Sequence, residues 1–252
     1  MTTLYRPDPL TLCSGDLVWP KADDQIVCYL TGDDYDMLWR QQRDAYVAMV
    51  SANPAATQQE RELAMLVDGW SYAEFVTFPP SSFAAAMDRP WVGHVGVVEV
   101  RDGVPWVIDA TPHRALGGVP GASGVADQTW NDWVGDDGHL KSHVWHGRLR
   151  DLTPEQAATI PVAARTQIGK PYQFFNFNLD DIAGFYCSKL VWYAVWSALK
   201  LSLDAGPPNR SFWVSPLQLM RSAGVHLLYV PPGREYGLER ALAHMTLRDR
   251  AV

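Results

Sequence analysis

The chain has 252 residues, 47% of them hydrophobic, a formal net charge of −7 and a pI near 5.4. Length and apolar content support one sizeable core and exclude a disordered chain. The acidic balance, with no long basic run, excludes nucleic acid as an expected partner and disfavours an anionic membrane surface.

Residues 1–10 hold no apolar run, so neither a signal peptide nor a transmembrane span is expected, and the chain reads as cytoplasmic as synthesised. Residues 14–19 (SGDLVW) predict a turn and a short strand. Residues 36–52 predict a helix, ended by Asn53-Pro54. Thr57 opens a second helix, with Glu60 closing a capping box, and it runs to about Val67. Residues 70–80 are aromatic-rich and stop at Pro79-Pro80. The block 30–88 reads as a helical insertion between strands. Residues 93–100 predict a strand, Arg101-Asp102-Gly103 a turn and residues 104–111 the return strand. Pro105 cannot donate to a ladder, so that strand is expected to be an edge or to be bulged near its start. Residues 117–137 predict a long loop with at most a helical turn, and residues 143–149 a third strand. Thr153-Pro154-Glu155-Gln156 starts a helix that ends near Gly169. A helix from Cys187 to about Leu201 follows, then a short one from Ser215-Pro216, closed by Gly224, and a last strand over 226–230. Strands in the middle with helices on both sides predict one α+β domain over residues 1–252, an antiparallel sheet packed against helices. Eleven tryptophans read mainly as packing residues.

Chemistry centres on Cys187. Leu190, Val191, Ala194, Val195 and Leu199 recur at helical spacing after it, and a Gly/Asn/Asp-rich loop precedes it. The sulfur therefore meets the unpaired N–H groups and the positive dipole end of a helix, which favour thiolate, the nucleophilic form. The plain alternative is a core cysteine. The cysteine count is odd with no CxxC, which argues against a disulfide framework and a zinc ribbon. A nucleophile needs a base, and His94, between Gly93 and Gly96 at a strand start, is the best placed; His113 is the reserve. Asp109 on the return strand is the candidate orienter. A three-residue turn pairs His94 with Ala110 and turns Asp109 to the other face; a bulge at Pro105 brings it back. His139, His143 and His146 cluster, but no acidic or cysteine ligand falls at a matching spacing, so no metal site and no cofactor is expected. His226 and His244 read as surface residues.

Several segments together resemble a known family. Gly169-Lys170-Pro171-Tyr172 followed by Phe185-Tyr186-Cys187-Ser188-Lys189-Leu190-Val191 resembles the G-x-P-Y … D-C-S-G-L-V signature of NlpC-like cell-wall cysteine peptidases. Gly15-Asp16-Leu17-Val18-Trp19 resembles their G-D-L-V-F strand, and His94-Val95-Gly96-Val97 with Asp102-Gly103 and Ile108-Asp109-Ala110 resembles their histidine hairpin. The histidine precedes the cysteine here, which is similar to the circularly permuted, YiiX-like branch of the papain-like fold, to which the lecithin:retinol acyltransferase group is related. The resemblance covers about half the chain. It implies Cys187 as nucleophile, His94 as base, Asp109 in the third polar position and Tyr172 lining the cleft near the oxyanion region, with Tyr186 directly before the nucleophile. Tyr186 and Lys189 depart from the residues usual at those places.

The function implied is a cysteine amidase or endopeptidase acting on peptidoglycan stem peptides. Murein lies outside the cytosol, so a chain without a signal peptide fits an antibacterial effector loaded onto a secretion machine such as a type VI system, with an immunity protein as its partner. The second reading is a thiol acyltransferase or lipid amidase; the third is a binding module on the same fold. The 30–88 block reads as structural elaboration, with a docking surface or a lid as the alternatives.

Overall fold

The sheet is organised by the hairpin that carries the candidate histidine and carboxylate. Strand β2 (Gly96–Arg101) and the later β3 (Val104–Thr111) are joined by Asp102 and Gly103, with φ of 51° and 77°. Two successive positive φ values are what a type I′ turn requires, and Asp-Gly adopts them readily. Arg101 therefore pairs with Val104, and Val97 with Ile108. The turn has two residues, not the three expected, and this shifts the register by one without a bulge. Pro105 pairs regularly with Val100, and β3 is not an edge. It runs between β2 and β6 (Gly124–Thr129). Arg101–Val104 is the hydrogen-bonded pair beside the turn, so Pro105 occupies a non-bonded position where its nitrogen points away from β2. On its other side the β6 ladder begins only at Trp106–Thr129.

The computed structural model describes residues 4–21, 33–71, 93–111, 114–116, 119–121, 124–135, 143–206, 208, 214–234 and 236. Its sheet has six strands in the order β6-β3-β2-β1-β7-β8, where β1 is Leu17–Lys21, β7 His143–Leu149 and β8 Val225–Tyr229. Every pairing in it is antiparallel. A short separate hairpin pairs β4 (Arg114–Leu116) with β5 (Val119–Gly121). Strands β5 and β6 correct the expectation of a long loop over 117–137. Gly124 there marks a close backbone approach: a Cβ on it would lie 2.2 Å from the Lys170 carbonyl oxygen. The expected helical turn is α3 (Trp130–Gly135), which begins where the Thr129 hydroxyl accepts the Asp132 N–H at 3.2 Å.

Three of the remaining helices start where caps predict. The helix α2 (Gln58–Val67) has the Thr57–Glu60 capping box, α4 (Pro154–Arg165) the Thr153–Gln156 box, and α6 (Pro216–Met220) the Ser215–Gln218 box. The first helix, α1 (Asp33–Ala52), begins three residues earlier than expected, and α4 gives way to turns before Gly169. The helix α5 (Cys187–Leu199) packs beside α4 against β2 and β3. Val95, Val97, Ile108 and Ala110 face it in the main core, while Val18, Val98, Val107 and Val144 alternate to the opposite face and meet Trp130 and Trp133. From the expected insertion, Trp39, Tyr46, Leu63 and Val67 of α1 and α2 join the same core as α5. Its residues beyond Ser71, Pro79-Pro80 included, lie outside the described residues.

Candidate active site

The start of α5 is fixed from both sides. Upstream, the Phe185 N–H donates to the Pro171 carbonyl at 3.0 Å, and the Gln173 N–H to the Phe185 carbonyl at 3.1 Å, a strand-like bridge between Tyr172 and Phe185. Gly184 permits the approach, since a Cβ there would lie 2.5 Å from the Gln173 side chain. Tyr186 then caps the helix in an extended conformation with no side-chain cap hydrogen bond. Cys187 is thus the first helical residue, where first-turn N–H groups and the positive dipole end gather. It is buried, with its sulfur 3.7 Å from the Gly93 carbonyl oxygen.

His94 reaches this sulfur from the sheet. It lies two residues before β2 begins, on the face that Gly96 shares with Asp109 in the two-residue-turn register. Gly96 keeps that face open, because a Cβ there would lie 2.5 Å from a Val107 methyl and 3.5 Å from the Asp109 Cβ. The His94 Nε2 lies 2.8 Å from the Asp109 Oδ2, with both side chains buried. The same oxygen accepts the Trp133 indole N–H at 2.7 Å. His94 is also hydrogen-bonded to Cys187. With Nε2 committed to Asp109, the ring nitrogen left for the sulfur is Nδ1. Burial alone lowers the imidazole pKa. The hydrogen bonds to Asp109 and Cys187 and their charges more than reverse this, and the pKa is pushed up to about 9. The site therefore has a cysteine, a histidine that favours its proton, and a carboxylate holding the histidine's far nitrogen.

The other expected residues lie as follows. The Tyr186 ring is in the core against Phe174 and Phe177, its hydroxyl accepting the Val214 N–H at 3.1 Å. Tyr172 is buried in the same core, and its carbonyl accepts a hydrogen bond at 3.0 Å from Gln42 of α1, whose amide oxygen takes the Phe174 N–H at 2.9 Å. Lys189 is buried beneath the loop before Cys187, its Nζ donating to the Asn176 carbonyl at 3.2 Å. Burial lowers its pKa to about 8, against a counteracting charge on Asp181. His146 and His143 part company: His146 pairs with Asp16 at 2.7 Å, while His143 meets Tyr5 and Arg234. Among the described residues no group of three or more His, Cys, Asp or Glu could hold a metal ion. His226 is exposed. His113, His139 and His244 lie outside the described residues.

Sequence reasoning missed two contributors. Trp133 was hidden in the expected loop; the Thr129-x-x-Asp132 cap was the signal that could have revealed its helix. Tyr236 carries no local signal at all, yet its hydroxyl accepts the His94 N–H at 3.0 Å and donates to the His94 carbonyl at 2.9 Å.

Comparison with known proteins bears on this arrangement. The model of a family described as permuted papain-like amidase enzyme, YaeF/YiiX, C92 family, matches residues 75–205. No curated protein matches the sequence. The crystal structure of metalloprotein yiiX from Escherichia coli O157:H7 is similar, with a TM-score of 0.46 and 16% identity, over 89% of this chain and 98% of its own. Among the described residues no helix is long and apolar enough to cross a membrane.

Proposed function

This chain belongs to the permuted papain-like amidases of the C92 family, and on that premise we propose that it is a cysteine amidase in which Cys187 is the nucleophile, His94 the general base and Asp109 the orienter, acting on peptide stems of peptidoglycan. The observation that carries the assignment is the unbroken chain Cys187–His94–Asp109 at the start of α5. His94 takes the thiol proton at Nδ1, and the thiolate sulfur bonds to the scissile carbonyl carbon. The carbonyl oxygen becomes an oxyanion beside the first-turn N–H groups of α5, that of Cys187 first among them. The C–N bond then breaks and the amine leaves with the proton from His94. A water, deprotonated by His94, attacks the thioester, the acid departs and the thiol is restored. Asp109 stays ionised throughout and keeps Nε2 protonated.

The stem-peptide substrate is supported by the joined motifs at Gly169–Tyr172, Phe185–Val191 and His94–Ala110 and by the family's amidase chemistry. Purified chain is incubated with muropeptides and the products are read by mass spectrometry, with Cys187→Ala as control. A stem-peptide product present only with the wild type is expected. Identical, unchanged muropeptides in both sink the substrate, and acyl esters and lipid amides are then tested with the same control. The effector role that goes with this substrate predicts lysis when the chain is expressed with an added export signal, none when it stays in the cytosol, and none for exported Cys187→Ala.

A further inference from the structure

The His94 backbone is held in an unusual way. In an antiparallel ladder, hydrogen-bonded pairs recur every second residue. Between β1 and β2 the Val98 N–H donates to the Asp16 carbonyl at 2.8 Å, and the pairing continues through Val18 with Gly96. The next bonded pair would be Pro20 with His94. Proline has no N–H to give, and the β1–β2 register ends at Val18–Gly96 although β1 runs on to Lys21 and stays paired with β7. The His94 N–H and carbonyl, both buried, must find partners elsewhere. One hydroxyl serves both: Tyr236 accepts from the N–H at 3.0 Å and donates to the carbonyl at 2.9 Å. Its ring is buried and packs edge-on to Trp145 of β7, centroids 5.2 Å apart, so the hydroxyl is a fixed point. Pro20 and Tyr236 both lie outside the segment that matches the family model.

We propose that Tyr236 is a positioning residue for His94: its hydroxyl supplies the donor that Pro20 lacks and sets the backbone from which the imidazole reaches Cys187 and Asp109. The inference rests on the reading of His94 as the base. In a regular ladder this stretch would lie against β1, and the imidazole would be aimed by strand geometry alone. With the ladder broken, a side chain arriving from near the end of the chain sets the aim.

The test is the pH dependence of Cys187 alkylation by iodoacetamide, followed by mass spectrometry of the peptide that carries it, so that Cys13 and Cys28 do not interfere. Wild type, His94→Ala and Tyr236→Phe are compared, each with its thermal midpoint recorded. Tyr236→Phe keeps the ring and removes the hydroxyl. Its alkylation rate at pH 6 is expected to fall roughly tenfold toward that of His94→Ala, the effect of one buried hydrogen bond. At pH 10, where any thiol ionises, it should match the wild type. A Tyr236→Phe profile equal to wild type while His94→Ala differs overturns the proposal and leaves the base assignment standing. A His94→Ala profile equal to wild type overturns both. Hydrogen exchange on the wild-type chain needs no variant to fold: a His94 amide as protected as that of Val98 supports the proposal, and exchange at the rate of an open amide overturns it.

Discussion

The sheet holds two buried histidine–carboxylate pairs of nearly the same geometry. His94 and Asp109 meet at 2.8 Å and His146 and Asp16 at 2.7 Å, in both cases Nε2 to Oδ2. Their surroundings separate them. The Asp16 carboxylate is also held by the Arg148 guanidinium, at 2.6 and 2.8 Å, and by the Cys13 N–H at 2.8 Å. Its charge is already answered by a permanent cation. Asp109 instead accepts from the neutral Trp133 indole and lies against the imidazole of His94, where its charge stabilises an imidazolium. His94 also has the Cys187 sulfur as its second partner. On the proposed reading, a buried His–Asp pair becomes chemical apparatus when the carboxylate's charge is turned to the imidazole and the far ring nitrogen faces a thiol. Without those two conditions the same pair is a brace.

The largest expected contrast comes from breaking each pair at the histidine. His94→Gln should lower kcat/KM by roughly a hundredfold to ten-thousandfold, the range for loss of a general base, and Asp109→Asn should act comparably by letting the imidazole take the wrong tautomer. His146→Gln should leave kcat/KM within about threefold and lower stability by about 1–3 kcal/mol, because it leaves part of a buried carboxylate unsatisfied. Steady-state kinetics and denaturant unfolding of the three variants check this. Equal kinetic losses at His94 and His146 would refute the distinction.

One side of this contrast was partly legible in the sequence, and the part that was not has a physical cause. Cys187 at a helix start follows from periodicity and the loop before it, and the valine-rich strand follows from its own pattern, although it begins at Gly96, two residues after His94. The Asp109 side depends on whether the turn has two residues or three, and that depends on Arg101 joining the ladder, which Asp102-Gly103 permits but does not announce. Strand β6 was hidden because its sequence, GVADQT, lacks strict alternation and lies among glycines. Asp16 looked only like part of a strand motif, since its partners His146 and Arg148 lie more than a hundred residues away. Tyr236 was out of reach because its role depends on a hydrogen bond that Pro20 fails to make.

The two pairs should fail at opposite ends of the pH scale. The His94 pKa is raised from 6.5 to about 9. The stability from its charged pair is therefore fully present below about 6.5 and is lost as pH rises through about 9. Asp16 behaves in the reverse sense. Burial raises its pKa, but hydrogen bonds from Arg148, His146 and the Cys13 N–H more than offset this, leaving it below its ordinary 3.8. Its contribution is present above 3.8 and is lost as pH falls through the depressed value. Differential scanning calorimetry should show the gap between wild type and Asp109→Asn narrowing above pH 9, and the gap between wild type and Asp16→Asn narrowing below pH 4. The hydrolysis profile should fall on its alkaline side near pH 9, where His94 loses the proton the leaving amine requires.

The smallest effect is the most discriminating, because it changes the compensation and leaves both pairs in place. Arg148→Met removes the cation from Asp16 while His146 and the Cys13 N–H stay bonded to it. The Arg148 side chain is 39% exposed, so solvent screens the lost ion pair and the stability change near neutral pH should be about 1 kcal/mol or less. The Asp16 pKa should rise, since its strongest favourable partner is gone, and acid unfolding should begin at higher pH than in the wild type. Hydrolysis should be unchanged, because this alteration does not reach His94 or Cys187. An Asp16 carboxyl resonance that titrates as in the wild type would mean that the arginine is not what separates the pairs. The difference would then lie with the sulfur beside His94 alone.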